Sequence, residues 1–201
     1  MNRIGIMGGT FNPIHLGHIA LAKAAYEQYE LDKVLFVPSG ISYMKKGMNI
    51  LGSEDRCNLV FLSIADYPCF ALDRIEVDRP GNSYTWETLN KLKNRENADY
   101  FFICGADTLF MIEKWLNPEY IMKNCTLLVA VRDEYDMDSL ENKASGLRER
   151  YNASIDFIRM DSIDISSTNI RNRIAKGEHV SGLLDSKAIK YIEERGLYQN
   201  A

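Results

Sequence analysis

The chain has 201 residues, a length that suits one domain and is sufficient to bury a sizeable core. Its 24 basic and 28 acidic residues give a net charge of −4 and a pI of about 5.5, which excludes a global positive field for attracting nucleic acid. No apolar run approaches the ~18–20 residues of a membrane span, so we expect a protein without a transmembrane segment. The four cysteines have no CxxC spacing, so we also expect a reduced, cytoplasmic protein without a zinc site.

Short β-branched and aromatic runs alternate with helical patterns, which predicts βαβ units and a parallel sheet. In chain order, the predicted strands are Arg3–Met7, Lys33–Pro38, Phe70–Val77, Asp99–Gly105, Thr126–Val131 and Ser154–Met160. The predicted helices are His18–Tyr29, Ser53–Asp66, Tyr84–Asn94, Asp107–Trp115, Ser139–Tyr151, Ser167–Lys176 and Ser186–Arg195. We therefore expect a single domain, with a doubly wound α/β sheet core over 1–160 and a small C-terminal helical addition over 161–201. Ligands of such folds bind outside the carboxyl ends of the strands.

The segment GGTFNPIHLGH, which begins at Gly8, follows the first predicted strand. Free backbone N–H groups favour anions at such a turn, and Gly8 and Gly9 carry no side chains that would exclude a ligand. The segment is not GxGxxG and the chain contains no GxxxxGK[ST], so neither the dinucleotide fingerprint nor the P-loop is present. His15 and His18 flank Gly17, so both imidazoles can face one spot and donate to phosphoryl oxygens. The ordinary alternative is one exposed and one packed histidine, and no third ligand is spaced for zinc.

A second polar cluster, IDISSTNIR, lies at the start of the helix after the last predicted strand. Ser166, Ser167 and Thr168 offer hydroxyls and N–H groups there, and Arg171 follows one turn later on the face of Thr168. Alone, such a stretch is most often a helix cap. Together with the histidine turn, it predicts a second wall of a polyphosphate site with Arg171 as its positive charge.

Together, GGTFNPIHLGH and ISSTNIR resemble the nucleotidyltransferase superfamily, which is marked by an HxGH turn and an (S/T)xxR-type second motif. More narrowly, the chain resembles the bacterial nicotinate-mononucleotide adenylyltransferases from Met1 to Tyr198. Further matches, in order, are GNSYTWETL, CGADTL followed by Trp115, and IKYIEERGLY. The resemblance implies a Rossmann-like nucleotidyltransferase fold. It also implies transfer of the adenylyl group of ATP to nicotinate mononucleotide, which gives nicotinate adenine dinucleotide and pyrophosphate in NAD biosynthesis.

The resemblance also implies roles for individual residues, with His15, His18 and Arg171 as the catalytic groups. ATP would be bound by Gly8, Gly9, Thr10, Phe11, His15, His18, Gly105, Asp107, Ser167, Thr168 and Arg171. Asp107 would bind the ribose hydroxyls, and Arg171 would stabilise the departing pyrophosphate. Mg²⁺ would arrive on ATP, because the chain has no carboxylate pair spaced as a dedicated metal site.

The same resemblance implies that nicotinate mononucleotide is bound by Lys45, Ser83, Tyr84, Thr85 and Trp115. A helix N-terminus at Tyr84–Thr85 offers N–H donors to the nicotinate carboxylate, and an aromatic ring can stack on the pyridinium. The ordinary alternatives are that Ser83 caps a helix and that Trp115 belongs to the core.

The chain departs from the family pattern in three places. Family members carry a PPHK-like stretch, of which this chain keeps Lys45 but has Met44 in place of the histidine, which leaves that histidine's contribution to substrate binding open. Asn12 stands where aspartate is usual. A leucine–valine–proline turn is replaced by Leu183-Leu184-Asp185. The last two changes fall outside the residues implied in phosphate binding.

Three other functions remain alternatives at this point. A related transferase acting on phosphopantetheine usually has a shorter chain, and SYTWETL favours the pyridine nucleotide. A class I aminoacyl-tRNA synthetase shares an HIGH motif, but this chain has no KMSKS-like loop and no basic surface. A non-catalytic nucleotide-binding regulator would not need His15, His18, Lys45 and Arg171 together. Whether the chain is a monomer or a homo-oligomer also stays open.

Overall fold

The computed structural model describes residues 1–40, 50–131, 136–161 and 163–199. Its strands are β1 (Asn2–Gly9), β2 (Lys33–Pro38), β3 (Phe70–Leu72), β4 (Ala98–Gly105), β5 (Thr126–Ala130) and β6 (Ser154–Ile158). Its helices are α1 (Leu16–Gln28), α2 (Ser53–Ile64), α3 (Thr85–Arg95), α4 (Ala106–Met111), α5 (Pro118–Asn124), α6 (Met137–Tyr151), α7 (Ser167–Ala175) and α8 (Ser186–Arg195). No helix in these ranges is long and apolar enough to cross a membrane.

The six strands form one parallel sheet in the order β3-β2-β1-β4-β5-β6. This arrangement confirms the predicted doubly wound α/β fold. The chain builds outward from β1 to β3, and then returns to place β4 beside β1, with Ile4 opposite Tyr100 and Ile6 opposite Phe102. The strand order therefore reverses between β1 and β4, and the carboxyl ends at such a reversal are where ligands of this fold class bind.

Tertiary contacts divide the chain into two compact units. Unit 1 comprises Met1–Gly8, Leu21–Leu35 and Ser83–Ser162, and unit 2 comprises Gly9–Ala20, Phe36–Asn82 and Ile163–Ala201. The core of unit 1 includes the fully buried side chains of Ile4, Leu92, Leu109, Ile112, Leu127 and Leu128. The core of unit 2 includes the fully buried side chains of Ile14, Phe36, Leu59, Val60 and Ile170.

The prediction of a third strand over Phe70–Val77 is wrong after Leu72, where the observed strand β3 ends. The carboxylate of Asp73 accepts the N–H of Ile75 at 3.1 Å, and the N–H of Asp78 donates to the carbonyl of Arg74 at 2.9 Å. Aspartate ends strands in this way because its short side chain satisfies a backbone donor that a sheet ladder would otherwise use.

The region after β4 also differs from the single predicted helix Asp107–Trp115. Helix α4 ends at Met111, and a 3₁₀ turn over Ile112–Lys114 follows it. The sequence interpretation missed α5, whose N-cap Asn117 has a left-handed backbone and whose first residue is Pro118. Proline is favoured at a first helical position because no partner is needed there for its missing N–H.

Two cysteines lie in the apolar strand region of the sheet. Cys104 in β4 and Cys125 just before β5 are both buried. Burial raises the pKa of both thiols, that of Cys125 to about 12. Both side chains therefore behave as small apolar groups at neutral pH.

Candidate active site

The turn between β1 and α1 has an irregular backbone. Phe11 has a left-handed conformation with φ of 48°, and the Asn12–Pro13 peptide bond is cis. The buried ring of Phe11 lies edge-on to the imidazole of His18, with centroids 5.2 Å apart, and its centroid is 6.0 Å from that of Phe36. Phe11 thus packs against His18, one of the two predicted catalytic histidines.

The two histidines of the turn lie against each other. Their ring centroids are 3.7 Å apart, with the planes inclined by 33°. The main-chain N–H of His15 donates to Nδ1 of His18 at 3.2 Å. A ring nitrogen that accepts a hydrogen bond carries no proton, so neutral His18 has its proton on Nε2. The fold therefore selects the tautomer of His18 that donates from the tip of the ring.

The second motif contacts the turn directly. Ser166 is the N-cap of α7 and accepts the N–H of Asn169, which confirms the capping interpretation for that residue. The hydroxyl of Ser167 donates to the carbonyl of Pro13 at 2.8 Å. Arg171 donates from Nη1 to the carbonyl of Asn12 at 2.8 Å. The two predicted phosphate-binding motifs are thus joined within unit 2.

Arg171 also contacts its own helix. Its Nη2 donates to the hydroxyl of Thr168 at 3.3 Å, one turn earlier in α7. The side chain is half-buried, so its guanidinium is held between the backbone of the turn and the helix. A guanidinium with two of its donors bound in this way presents a fixed positive charge.

Arg56 of α2 binds the same turn, and the sequence interpretation missed it. This residue is 2% exposed and donates to four main-chain carbonyls: Thr10 at 2.7 Å, Ser39 at 2.7 Å, Leu51 at 3.1 Å and Gly40 at 3.5 Å. Burial lowers the pKa of Arg56, although arginine stays charged. A signal was available in the sequence, because Arg56 lies at helical spacing with the apolar residues Leu59 and Val60 and so faces the core.

The C-terminal segment also contacts the turn. The carbonyl of Leu183, in the stretch that replaces the family's leucine–valine–proline turn, accepts the N–H of Leu16 at 2.9 Å. The hydroxyl of Tyr198 donates to Oδ1 of Asn12 at 3.1 Å. Asn12, one of the departures from the family pattern, therefore takes part in anchoring the turn.

Other predicted site residues lie in unit 1. Gly8 and Gly105 lie at the carboxyl ends of the neighbouring strands β1 and β4, and Asp107 is exposed in the first turn of α4. Trp115 follows the 3₁₀ turn, and its ring stands edge-on to Phe102 of β4 with centroids 6.0 Å apart. Its Nε1 is buried and has no hydrogen-bond partner among the described residues.

The predicted pyridine-binding segment also lies in unit 1. Tyr84 is the N-cap of α3 and Thr85 is its first residue, which confirms the expected helix N-terminus. Ser83 precedes them and is half-buried. No side-chain cap bond is present at Tyr84.

The structure thus brings together Gly9, Thr10, Phe11, His15, His18, Ser167, Thr168 and Arg171 in unit 2. It places Gly8, Ser83, Tyr84, Thr85, Gly105, Asp107 and Trp115 in unit 1. The predicted residue Lys45 lies outside the described residues. Within the described ranges, no group of three or more His, Cys, Asp or Glu side chains is arranged to bind a metal ion.

Known proteins resemble this chain over its whole length. A cytidylyltransferase-like family model matches residues 6–173. Proteins named "probable nicotinate-nucleotide adenylyltransferase" from Lachnoclostridium phytofermentans and Dehalococcoides mccartyi are 39% and 37% identical to it, and each alignment covers 98% of this chain. Those alignments cover 100% and 97% of the two relatives.

A solved structure shares the fold. It is the Plasmodium falciparum nicotinic acid mononucleotide adenylyltransferase complexed with NaAD, which superposes with a TM-score of 0.80 at 18% identity, covering 100% of this chain and 99% of that one. The full-length relatives and the family model together show that the chain belongs to the cytidylyltransferase-like family and, within it, to the nicotinate-nucleotide adenylyltransferases.

Proposed function

We propose that this chain transfers the adenylyl group of ATP, bound as its magnesium complex, to nicotinate mononucleotide. A phosphate oxygen of the mononucleotide attacks the α-phosphorus of ATP. The bond from that phosphorus to the oxygen of the β-phosphate breaks, and pyrophosphate leaves. The observation that carries the proposal is the junction of the two motifs, in which Ser167 and Arg171 bind the backbone of the turn that bears His15 and His18.

The two histidines stabilise the charge that develops at the α-phosphate. His18 donates from Nε2, because its Nδ1 already accepts the N–H of His15. His15 packs against His18 and binds the neighbouring phosphate. Both groups act mainly by position and charge, which supply most of the catalysis in phosphoryl transfer.

Arg171, with Ser167 and Thr168, binds the β- and γ-phosphates and stabilises the leaving pyrophosphate. A guanidinium suits this role because its planar fork can donate two parallel bonds to phosphate oxygens. Mg²⁺ on the triphosphate neutralises part of the same charge when bound. Gly9, Thr10 and Phe11 line the nucleotide path.

Residues outside the two motifs bind the remaining parts of the substrates. Gly8 and Gly105 leave room for the nucleotide at the ends of their strands, and Asp107 accepts hydrogen bonds from the adenosine ribose. Donors at the N-terminus of α3, around Ser83, Tyr84 and Thr85, bind the nicotinate carboxylate. Trp115 contacts the pyridine ring. Lys45 binds the mononucleotide through its positive charge.

The test is to incubate the purified protein with Mg-ATP and each of three acceptors: nicotinate mononucleotide, nicotinamide mononucleotide and phosphopantetheine. Mass spectrometry identifies any adenylylated product, and a coupled assay measures pyrophosphate. We expect nicotinate adenine dinucleotide, and the His18→Ala variant as a control should form far less of it. Adenylylated phosphopantetheine as the main product would replace the proposal with the related transferase. ATP binding without any product would identify a regulator.

A further inference from the structure

We propose that Tyr198, near the C-terminus, is a positioning residue that acts through Asn12 on Arg171. The inference rests on the proposed role of Arg171 in binding the ATP phosphates. Neither Tyr198 nor Asn12 is assigned any contact with substrate.

Asn12 is the point at which the relevant contacts meet. Its main-chain carbonyl accepts the 2.8 Å bond from Nη1 of Arg171. Its side-chain Oδ1 accepts from the hydroxyl of Tyr198 at 3.1 Å and from the N–H of Leu51 at 3.2 Å. The side chain of Asn12 is 7% exposed, so these bonds form away from bulk water. The orientation of the carbonyl that binds Arg171 therefore depends on the anchors of the same residue's side chain.

Tyr198 is suited to be a permanent donor. Its side chain is 7% exposed, and this burial raises the pKa of its hydroxyl above the ordinary value despite the nearby Arg171 and Arg56. The phenol consequently stays protonated at neutral pH. A buried hydroxyl needs a partner, and Oδ1 of Asn12 is the acceptor that the fold supplies.

The last helix delivers Tyr198 to this position. Helix α8 is bound to α2 through the hydroxyl of Tyr191, which donates to Asp55 at 2.8 Å, and through Arg195, which contacts the same carboxylate. The helix ends at Arg195, its C-cap Gly196 has φ of 59°, and Tyr198 itself has φ of 64°. These two left-handed residues turn the chain after α8, which places the phenol within reach of Asn12.

Removal of the Tyr198 hydroxyl should loosen Asn12 and, with it, the carbonyl that orients Arg171. One hydrogen bond of this kind corresponds to about a 3- to 10-fold change in an equilibrium or rate. Because Arg171 is proposed to bind the triphosphate and the leaving group, we expect both weaker Mg-ATP binding and a lower kcat, each within that range. The ring remains in Tyr198→Phe, so the packing of the C-terminus is kept.

The experiment compares Tyr198→Phe with Tyr29→Phe, a matched control that loses one phenol hydrogen bond, to the main-chain carbonyl of Phe157 at 3.0 Å, and takes no part in positioning Asn12 or Arg171. Both changes are made in the wild-type chain and in Arg171→Lys. Calorimetric binding of Mg-ATP and the kcat for dinucleotide formation are measured, and thermal unfolding is followed for each variant. We expect Tyr198→Phe to lower affinity and kcat in the wild-type background and to have almost no effect once Arg171 is lysine. Tyr29→Phe should leave both quantities unchanged.

The inference is overturned if Tyr198→Phe changes neither quantity, or if it lowers them by the same factor in both backgrounds, which would indicate a merely structural role. Failure of the proposed function looks different, because the unmodified chain would then form no dinucleotide. In that case the calorimetric cycle still tests the link between Tyr198 and Arg171.

Discussion

Gly17 lies so close to His15 that a Cβ on Gly17 would come within 3.0 Å of Nδ1 and 3.2 Å of Cε1 of that imidazole. Alanine at this position would push the ring of His15 and, through it, His18. We expect Gly17→Ala to lower kcat about tenfold, because sub-ångström displacement of a positioned group is costly in catalysis. Stability should change little, because the preference of α1 for alanine opposes the cost of displacing the buried ring of His15.

A matched control separates these two effects. Gly146 is an exposed glycine of α6, where an added Cβ would meet no atom within 4 Å. Gly146→Ala should stabilise the protein by about 0.4–1 kcal/mol and leave kcat unchanged. Steady-state kinetics and denaturant unfolding of both variants provide the measurement. Full activity of Gly17→Ala would show that the position of His15 is unimportant.

His18 is expected to contribute to the transition state more than to ground-state binding. Loss of one donor to developing negative charge typically lowers kcat by about 10²–10³-fold. His18→Ala should show that loss with only a modest change in ATP affinity, as kinetics and calorimetry would measure separately. An equal loss in affinity would instead assign His18 to ground-state binding.

Replacement of Arg171 by lysine keeps the charge and removes the planar fork that binds Asn12 and Thr168. We expect Arg171→Lys to lower kcat/KM for ATP substantially. The control is Arg173→Lys on the same helix, where the arginine pairs with Glu178 at the surface. That change should have little effect. Wild-type kinetics in Arg171→Lys would rule out a role for the fork.

Arg56 should be important for stability. Arg56→Met removes the donor of four main-chain carbonyls, three of them at 3.1 Å or less, and an unsatisfied buried group costs about 1–3 kcal/mol. We expect a loss of at least about 3 kcal/mol in the free energy of unfolding, measured with urea. Arg74→Met is the control, because the contacts of Arg74 with Glu54 and Asp78 are exposed and should contribute little.

Nicotinate mononucleotide should be preferred to its amide. N–H donors at the start of α3 face an anion favourably, whereas a carboxamide would turn its NH₂ toward at least one of them. An unmet buried donor costs about 1–3 kcal/mol and loss of the charge–dipole interaction about 0.3–1 kcal/mol, which gives a preference of about one to three orders of magnitude in kcat/KM.

The measurement is kcat/KM for each of the two mononucleotides, and two variants refine it. Thr85→Ala should weaken the preference only partly, because the proposed donors are backbone groups. Trp115→Ala should lower kcat/KM for both substrates, because the lost contact is with the ring that they share. Equal kcat/KM values on the unmodified protein would contradict the nicotinate assignment and leave the proposed chemistry at His18 intact.

Local chemistry in the sequence was sufficient to predict the fold class and the two motifs. Alternating strand and helix patterns predicted the doubly wound sheet, since side-chain periodicity is a property of neighbouring residues. The spacing of His15 and His18 likewise predicted that their rings would lie together. The helix start at Tyr84–Thr85 and the cap at Ser166 were also predictable, because a helix terminus depends on a few adjacent residues, although the candidate cap Ser83 lies one residue before the observed N-cap Tyr84.

Only the tertiary structure decided which distant groups meet. Arg171 and Asn12 are 159 residues apart, and Tyr198 and Asn12 are 186 residues apart, so no local pattern relates them. The charge of Arg56 appeared in the sequence on an apolar helix face. Its acceptors come from distant segments: from Thr10 in the turn, from the two residues after β2, and from Leu51 shortly before α2. Such contacts depend on how helices and strands pack against each other, because the packing of the core determines which donors and acceptors from distant segments lie within hydrogen-bond distance.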